Sequence, residues 1–261
     1  MNDPAIQRRW LVALLIVYAA LAFLTYATGL ANELMPGQEL PPEMTRWPGW
    51  VFGLANAGIV LVVYGLMGLV GLYIARRLGL PGVIRLGAGC RRLFWAPLGL
   101  GVVVGIVMAA ADAAFAAVGT GRDGLLHPAF PMSLIASASA GIGEEIAFRL
   151  FVMSLWAGLL NLVLGPLGKR RWALWGGNGL AALAFAAAHL PAVMFMLGAE
   201  TLAAVPPLLM AEVFLLNGIV GVVAGERYAR DGLVAAAGVH FWADVIWHVL
   251  WPPLAGLLLA G

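Results

Sequence analysis

Three spacings place ionisable side chains inside stretches that otherwise read Ala, Leu, Val, Phe and Gly: Glu144-Glu145-x-x-x-Arg149, Phe185-x-x-x-His189 and His240-x-x-x-Asp244. A charged side chain at the middle of a bilayer costs about 2.5 kcal/mol or more unless it meets a partner or a wet cavity. A purely structural network has little need of six such groups on three segments, so they point to a polar site built between helices. Carboxylates, imidazoles and a guanidinium are the groups that activate water, move protons and hold a developing negative charge.

The spacing divides the labour. Residues four apart share a helix face, so Glu145 pairs with Arg149. Glu144 is turned away from its neighbour by about 100° and is left to act as a general base. Phe185, one turn before His189, packs on that imidazole or shapes the pocket around it. Asp244, one turn after His240, is placed to fix the tautomer and orientation of its ring. His248 continues that face and reads as structural or interfacial. Asp112 and Glu212 have no basic partner one turn away and stand as secondary candidates for lining the same cavity. His127, next to Pro128, reads as a solvated loop residue, and Asn178 in Trp-Gly-Gly-Asn-Gly reads as a loosened helix start.

The elements that must position these groups are membrane helices. Of the 261 residues 62% are hydrophobic and only 11% charged, with a mean hydropathy of +0.94; soluble domains carry about 25% charge. This is the composition of an all-α, polytopic transmembrane bundle. Apolar runs long enough to cross fall at roughly 10–30, 49–75, 94–118, 129–158, 172–198, 203–225 and 232–250. The apolar tail after Trp251-Pro252-Pro253 is too short to cross and offers at most a partial eighth segment. No internal repeat or soluble region is visible, so residues 1–261 read as one membrane domain with a motif-bearing core at 129–250. The first run follows Arg8 and Arg9 and is too long for the core of a cleaved signal, so it reads as a retained span.

Loop charge gives an orientation. Arg8 and Arg9, then Arg76, Arg77, Arg85, Arg91 and Arg92, then Lys169, Arg170 and Arg171, then Arg227 and Arg230 all fall on one side. The alternate connections hold Glu33, Glu39, Glu43 and Arg46, then Arg122 and Asp123, then Glu200. The positive-inside tendency puts the basic side and the N-terminus in the cytoplasm of a plasma (inner) membrane. The net charge of +2 is thus topology, and no basic-aromatic pattern suggests nucleic acid. The single cysteine, Cys90, excludes an intrachain disulfide and a cysteine-based metal cluster. It reads as a small buried residue, with acylation as the alternative.

Taken in order on separate helices, Glu-Glu-x-x-x-Arg, Phe-x-x-x-His and His-x-x-x-Asp resemble the pattern of the CPBP family. These are the CAAX proteases and bacteriocin-processing enzymes, glutamate-dependent intramembrane endopeptidases. The resemblance covers about residues 129–250. It implies that Glu144 and His189 activate a water for attack on a peptide carbonyl and that His240 and Asp244 stabilise the oxyanion, with Glu145, Arg149 and Phe185 in support. Asp244 stands where the family has asparagine or aspartate, and an ionised carboxylate repels an oxyanion, so Asp244 acts protonated or through His240. No metal is favoured. Zinc is the alternative, held by Glu144, His189, His240 and Asp244, but the chain lacks the His-Glu-x-x-His helix of zinc proteases.

The expected partners are membrane lipids and a membrane-embedded or lipid-anchored peptide or protein substrate, without nucleic acid. Two other classes compete with proteolysis. A proton-coupled transporter would use buried acids and histidines as a relay, but it lacks the matched broken helices of such folds. A catalytically silent scaffold or immunity protein would keep the fold without the chemistry.

Overall fold

The computed structural model describes residues 3–33, 46–120 and 127–258. Seven helices are long and apolar enough to cross a membrane: α1 Pro4–Ala27, α2 Gly49–Arg77, α3 Arg91–Gly119, α4 Met132–Leu164, α5 Arg170–Leu197, α6 Pro207–Asp231 and α7 Leu233–Leu257. No strand occurs among the described residues. In hydrocarbon every backbone N–H and C=O needs an internal partner, and these apolar runs satisfy that as helices. Large apolar side chains such as Val62, Leu162 and Leu257 are exposed on the outside of the bundle, as lipid contact requires. The chain is a multi-pass membrane protein. Glu39, Glu43, Arg122 and Asp123, counted in the loop-charge argument, lie outside the described residues.

The helices outrun the apolar segments. Arg8 and Arg9 lie inside α1, whose start is set by Pro4 and by the Asp3 carboxylate accepting from the Ala5 N–H at 2.8 Å. Arg76 and Arg77 end α2, Arg91 and Arg92 begin α3, Arg170 and Arg171 begin α5, and Arg230 ends α6. Hydropathy marks the hydrocarbon boundary, whereas a helix continues through the headgroup zone while long basic side chains reach to water. Cys90, expected buried, is exposed next to the start of α3.

The tail is the larger correction. Residues after Trp251 form no separate segment: α7 runs on through Pro252 and Pro253. Just before them, Val245–Leu250 is wound as a π-helix, and its wider turn absorbs the two missing N–H donors that would otherwise break the rod. Trp251 is buried against α3, where its indole N–H donates to Asp112 at 2.7 Å. Asn178 does not loosen a helix start either. It is buried within α5 and donates to the Val222 carbonyl of α6 at 3.0 Å.

Small residues set how closely the helices approach. A Cβ on Gly101 of α3 would lie 2.6 Å from the Val239 carbonyl oxygen of α7, and one on Gly221 of α6 would lie 2.8 Å from the Ala182 Cβ of α5. Such contacts let α3 close on α7, and α6 on α5, without side chains to hold them apart. At the basic end, Gly232 (φ +96°) separates α6 from α7 in one residue, a conformation only glycine takes cheaply. The first two N–H groups of α7 donate to the Gly82 and Val83 carbonyls at 3.0 and 2.9 Å. The loop carrying buried Leu80, Val83 and Ile84 thereby caps that end of the bundle.

Candidate active site

The pair Glu144-Glu145 ends the first regular stretch of α4. From Ile146 to Met153 the helix widens to π pitch, and Arg149 lies within that stretch. Glu145 points into the bundle and is fully buried, as is Arg149, whose Nε lies 3.3 Å from its carboxylate. The guanidinium rests over the Phe185 ring at 5.0 Å, a favourable use of a ring face in a dry setting. Gly221 leaves room for it, since a Cβ there would meet Arg149 Nη2 at 3.4 Å.

His240 completes the buried group from α7. Its Nδ1–H donates to Glu145 Oε1 at 2.9 Å, which fixes the orientation of the ring. Its other nitrogen, Nε2, faces Glu144 Oε2 at 3.7 Å and Asp244 Oδ2 at 3.5 Å. The one-turn spacing assigned ring orientation to Asp244, but the structure gives it to Glu145, a residue of another helix. The reason is geometric: an i,i+4 neighbour reaches Nε2 only at ion-pair distance, while the inward face of α4 meets Nδ1 at hydrogen-bond distance.

His189 sits at an interruption of α5 rather than inside a continuous helix. Regular α-helix ends at Ala187 and resumes at Leu190. Pro191 removes the N–H that would bond to the Ala187 carbonyl and crowds it, so the chain turns at Ala188-His189. His189 Nδ1–H donates to the Phe185 carbonyl at 2.9 Å, and its ring meets the Phe185 ring edge-on at 4.8 Å. Phe185 also touches His240 edge-on at 5.4 Å. One buried aromatic ring therefore packs against Arg149, His189 and His240 together. The bond from Nδ1 leaves His189 Nε2 to accept a proton.

Glu144, His189, His240 and Asp244 line one cavity of about 230 Å3, with Phe185 at its base. The Glu144 side chain is one-third exposed there, and those of Asp244 and His240 only 9% and 4%. Most of the remaining wall is apolar, with Met108, Met196, Val213 and Leu216 prominent. The cavity thus combines a carboxylate and an imidazole facing open space with an imidazole held from behind. That arrangement can take a proton from water and donate a hydrogen bond to a developing oxyanion. Among the described residues no group of three or more His, Cys, Asp or Glu side chains is placed to hold an ion.

Other polar residues were placed differently by the sequence. His127, expected in solvent, is half-buried: it stacks edge-on to Trp247 at 4.8 Å, and its Nδ1 shares a hydrogen bond with Nδ1 of His248 at 2.9 Å. Burial lowers the His127 imidazole to about 4, against the opposing pull of Asp112, so it is neutral near pH 7. His248 lines the cavity, as does Asn217 of α6, which no spacing singled out. Glu212 is fully buried in α6 and does not line the cavity.

Residues 126–246 match the family described as type II CAAX prenyl endopeptidase Rce1-like. This is the CAAX protease family, the CPBP group that the three spacings resemble, and the matched segment contains every residue of those spacings. It is a family of proteases. No curated protein and no solved structure matches the chain.

Proposed function

We propose that this member of the CAAX protease family is an intramembrane endopeptidase that hydrolyses a peptide bond with a water activated by Glu144 and His189. The observation that carries the reading is the shared cavity. Two groups able to take a proton face its open space, while His240 is anchored from behind by Glu145. Glu144 removes a proton from water as its oxygen attacks the peptide carbonyl carbon, and His189, oriented by the Phe185 carbonyl, accepts the second hydrogen bond of that water. The tetrahedral oxyanion receives a hydrogen bond from protonated His240 Nε2, whose charge is balanced by three carboxylates within 3.7 Å. Collapse breaks the C–N bond, and the proton held by Glu144 passes to the leaving amine. Asp244 acts through His240, because in ionised form it cannot donate to the oxyanion itself.

The mechanism is metal-free in this reading, which draws its support from Glu144 and His189 being able to take the proton of water without an ion. The N-terminus lies in the cytoplasm of a plasma (inner) membrane, supported by the arginines gathered at one end of the bundle. The substrate is a membrane-embedded or lipid-anchored peptide. Comparing peptide termini in membranes of cells carrying wild-type protein or Glu144→Gln at equal abundance tests the reading. Termini present only with wild type are expected. Identical termini would leave a transporter or a silent scaffold in place of a protease.

A further inference from the structure

We infer that Asn217 of α6 is a substrate-positioning residue, whose carboxamide pairs with the N–H and C=O of a peptide unit beside the scissile bond. The inference rests on the protease reading for the reaction, and it adds a residue that lies outside the three spacings.

Val213, Leu216, Asn217 and Val220 all line the catalytic cavity. They follow one another at i, i+3, i+4 and i+7, which is one face of a helix. Asn217 therefore sits in the middle of the face that α6 turns to the cavity, among apolar side chains. An amide inside a membrane bundle is ordinarily paired across to a neighbouring helix. Asn178 does this from α5, donating to the Val222 carbonyl of α6 at 3.0 Å. Asn217 does not. Its Nδ2 donates to the Val213 carbonyl one turn back in its own helix, at 2.8 Å, an oxygen that regular α geometry already uses. That bond joins no two helices. It leaves the second N–H and the Oδ1 of half-buried Asn217 without a partner among the described residues.

Other polar groups of the lining are committed elsewhere. Glu144, His189, His240 and Asp244 serve the water and the oxyanion, and His248 shares its Nδ1 hydrogen bond with His127 at 2.9 Å. A peptide that enters the cavity gives up its water, so the N–H and C=O groups flanking the cut bond need replacement partners. A carboxamide presents donor and acceptor side by side in one plane, the complement of a single peptide unit. Asn217 is the one carboxamide among the lining residues. A helical segment has these backbone groups bonded internally, so the substrate is unwound where it meets Asn217. A leucine at 217 would keep the apolar face of α6 continuous and leave that peptide unit unpaired.

Kinetics of the full chain in detergent micelles test this, with Asn217→Leu and Asn217→Ala compared with wild type. The probe is a synthetic peptide spanning a bond whose cleavage in membranes requires Glu144. Its depsipeptides, in which one flanking amide at a time becomes an ester without the N–H, are measured beside it. Both variants should unfold at the wild-type midpoint, and their kcat/KM should fall roughly 5- to 100-fold, the span for leaving a buried peptide group unpaired. One ester should slow wild type by a similar factor and slow neither variant further, a coupling that lost packing does not produce. Wild-type kcat/KM in both variants, or an ester penalty absent from wild type or undiminished in the variants, would overturn the role of Asn217 and leave the protease reading standing. Lowered unfolding midpoints in both variants would make Asn217 structural and overturn it too. If wild type yields no Glu144-dependent terminus at all, the protease reading fails first and this role falls with it.

Discussion

Glu144 and Glu145 are adjacent and chemically identical, yet their replacement by glutamine should differ sharply in its effect on stability. Glu145→Gln keeps the shape and removes the charge that lies 3.3 Å from Arg149 and accepts from His240 at 2.9 Å. Both Glu145 and Arg149 are fully buried, so solvent does not screen the loss. Breaking a buried ion pair by removing one partner costs about 3–5 kcal/mol, because the other charge stays behind uncompensated. At about 1.4 kcal/mol per decade, that lowers the folded-to-unfolded ratio by two to nearly four powers of ten. Reversible unfolding in mixed micelles, followed by the fluorescence of the ten tryptophans, measures it. Glu144→Gln, one-third exposed, should stay within about 1 kcal/mol of wild type, as expected for a surface-like position. Adding Arg149→Met to Glu145→Gln should recover part of the loss, giving a non-additive double-mutant cycle with coupling above about 1 kcal/mol. The same stability for Glu145→Gln and Glu144→Gln would refute the division of labour argued from burial.

Further outcomes follow from the same geometry. Asp244→Leu should lower turnover by about 10²–10³, the scale of losing one oxyanion-stabilising element. Asp244→Asn should keep much of the turnover, since an amide can itself donate to the oxyanion that the carboxylate serves only through His240; equal loss in both would mean that no donor at this position replaces the carboxylate. Prolonged chelation should leave proteolysis unchanged, and purified active protein should hold far less than one zinc per chain by elemental analysis. A stoichiometric metal whose removal abolishes turnover would overturn the metal-free mechanism. Gly101→Val should destabilise the bundle by about 1–3 kcal/mol through overpacking against the α7 backbone; an unchanged unfolding curve would show that α3 and α7 yield at that crossing.

Much of this molecule is written in local sequence. A bilayer leaves an apolar run of some twenty residues little choice but helix, so composition alone implies seven crossings. The gathering of arginines at alternate ends implies their orientation. The catalytic candidates were legible for a related reason: ionisable groups in hydrocarbon sequence are costly and therefore conspicuous, and their spacing of four reports a shared face. Spacing says nothing about what lies across a helix interface. It took the close packing of α4 on α7, where a Cβ on Gly141 would lie 3.2 Å from the Ala237 carbonyl oxygen, to bring His240 against Glu145 instead of Asp244, and packing of α5 against both to place one phenylalanine under three polar side chains. His127 and His248 met only because the segment before α4 folds back onto α7, a contact between residues far apart in the chain. The break at His189 and the unbroken path of α7 through two prolines were likewise settled by backbone hydrogen bonding, which hydropathy does not see. The sequence determined which groups are buried in the membrane, and tertiary structure decided which of them face open space and which hold one another in place. Rotation and depth of each helix depend on contacts summed over all its neighbours, not on its own residues.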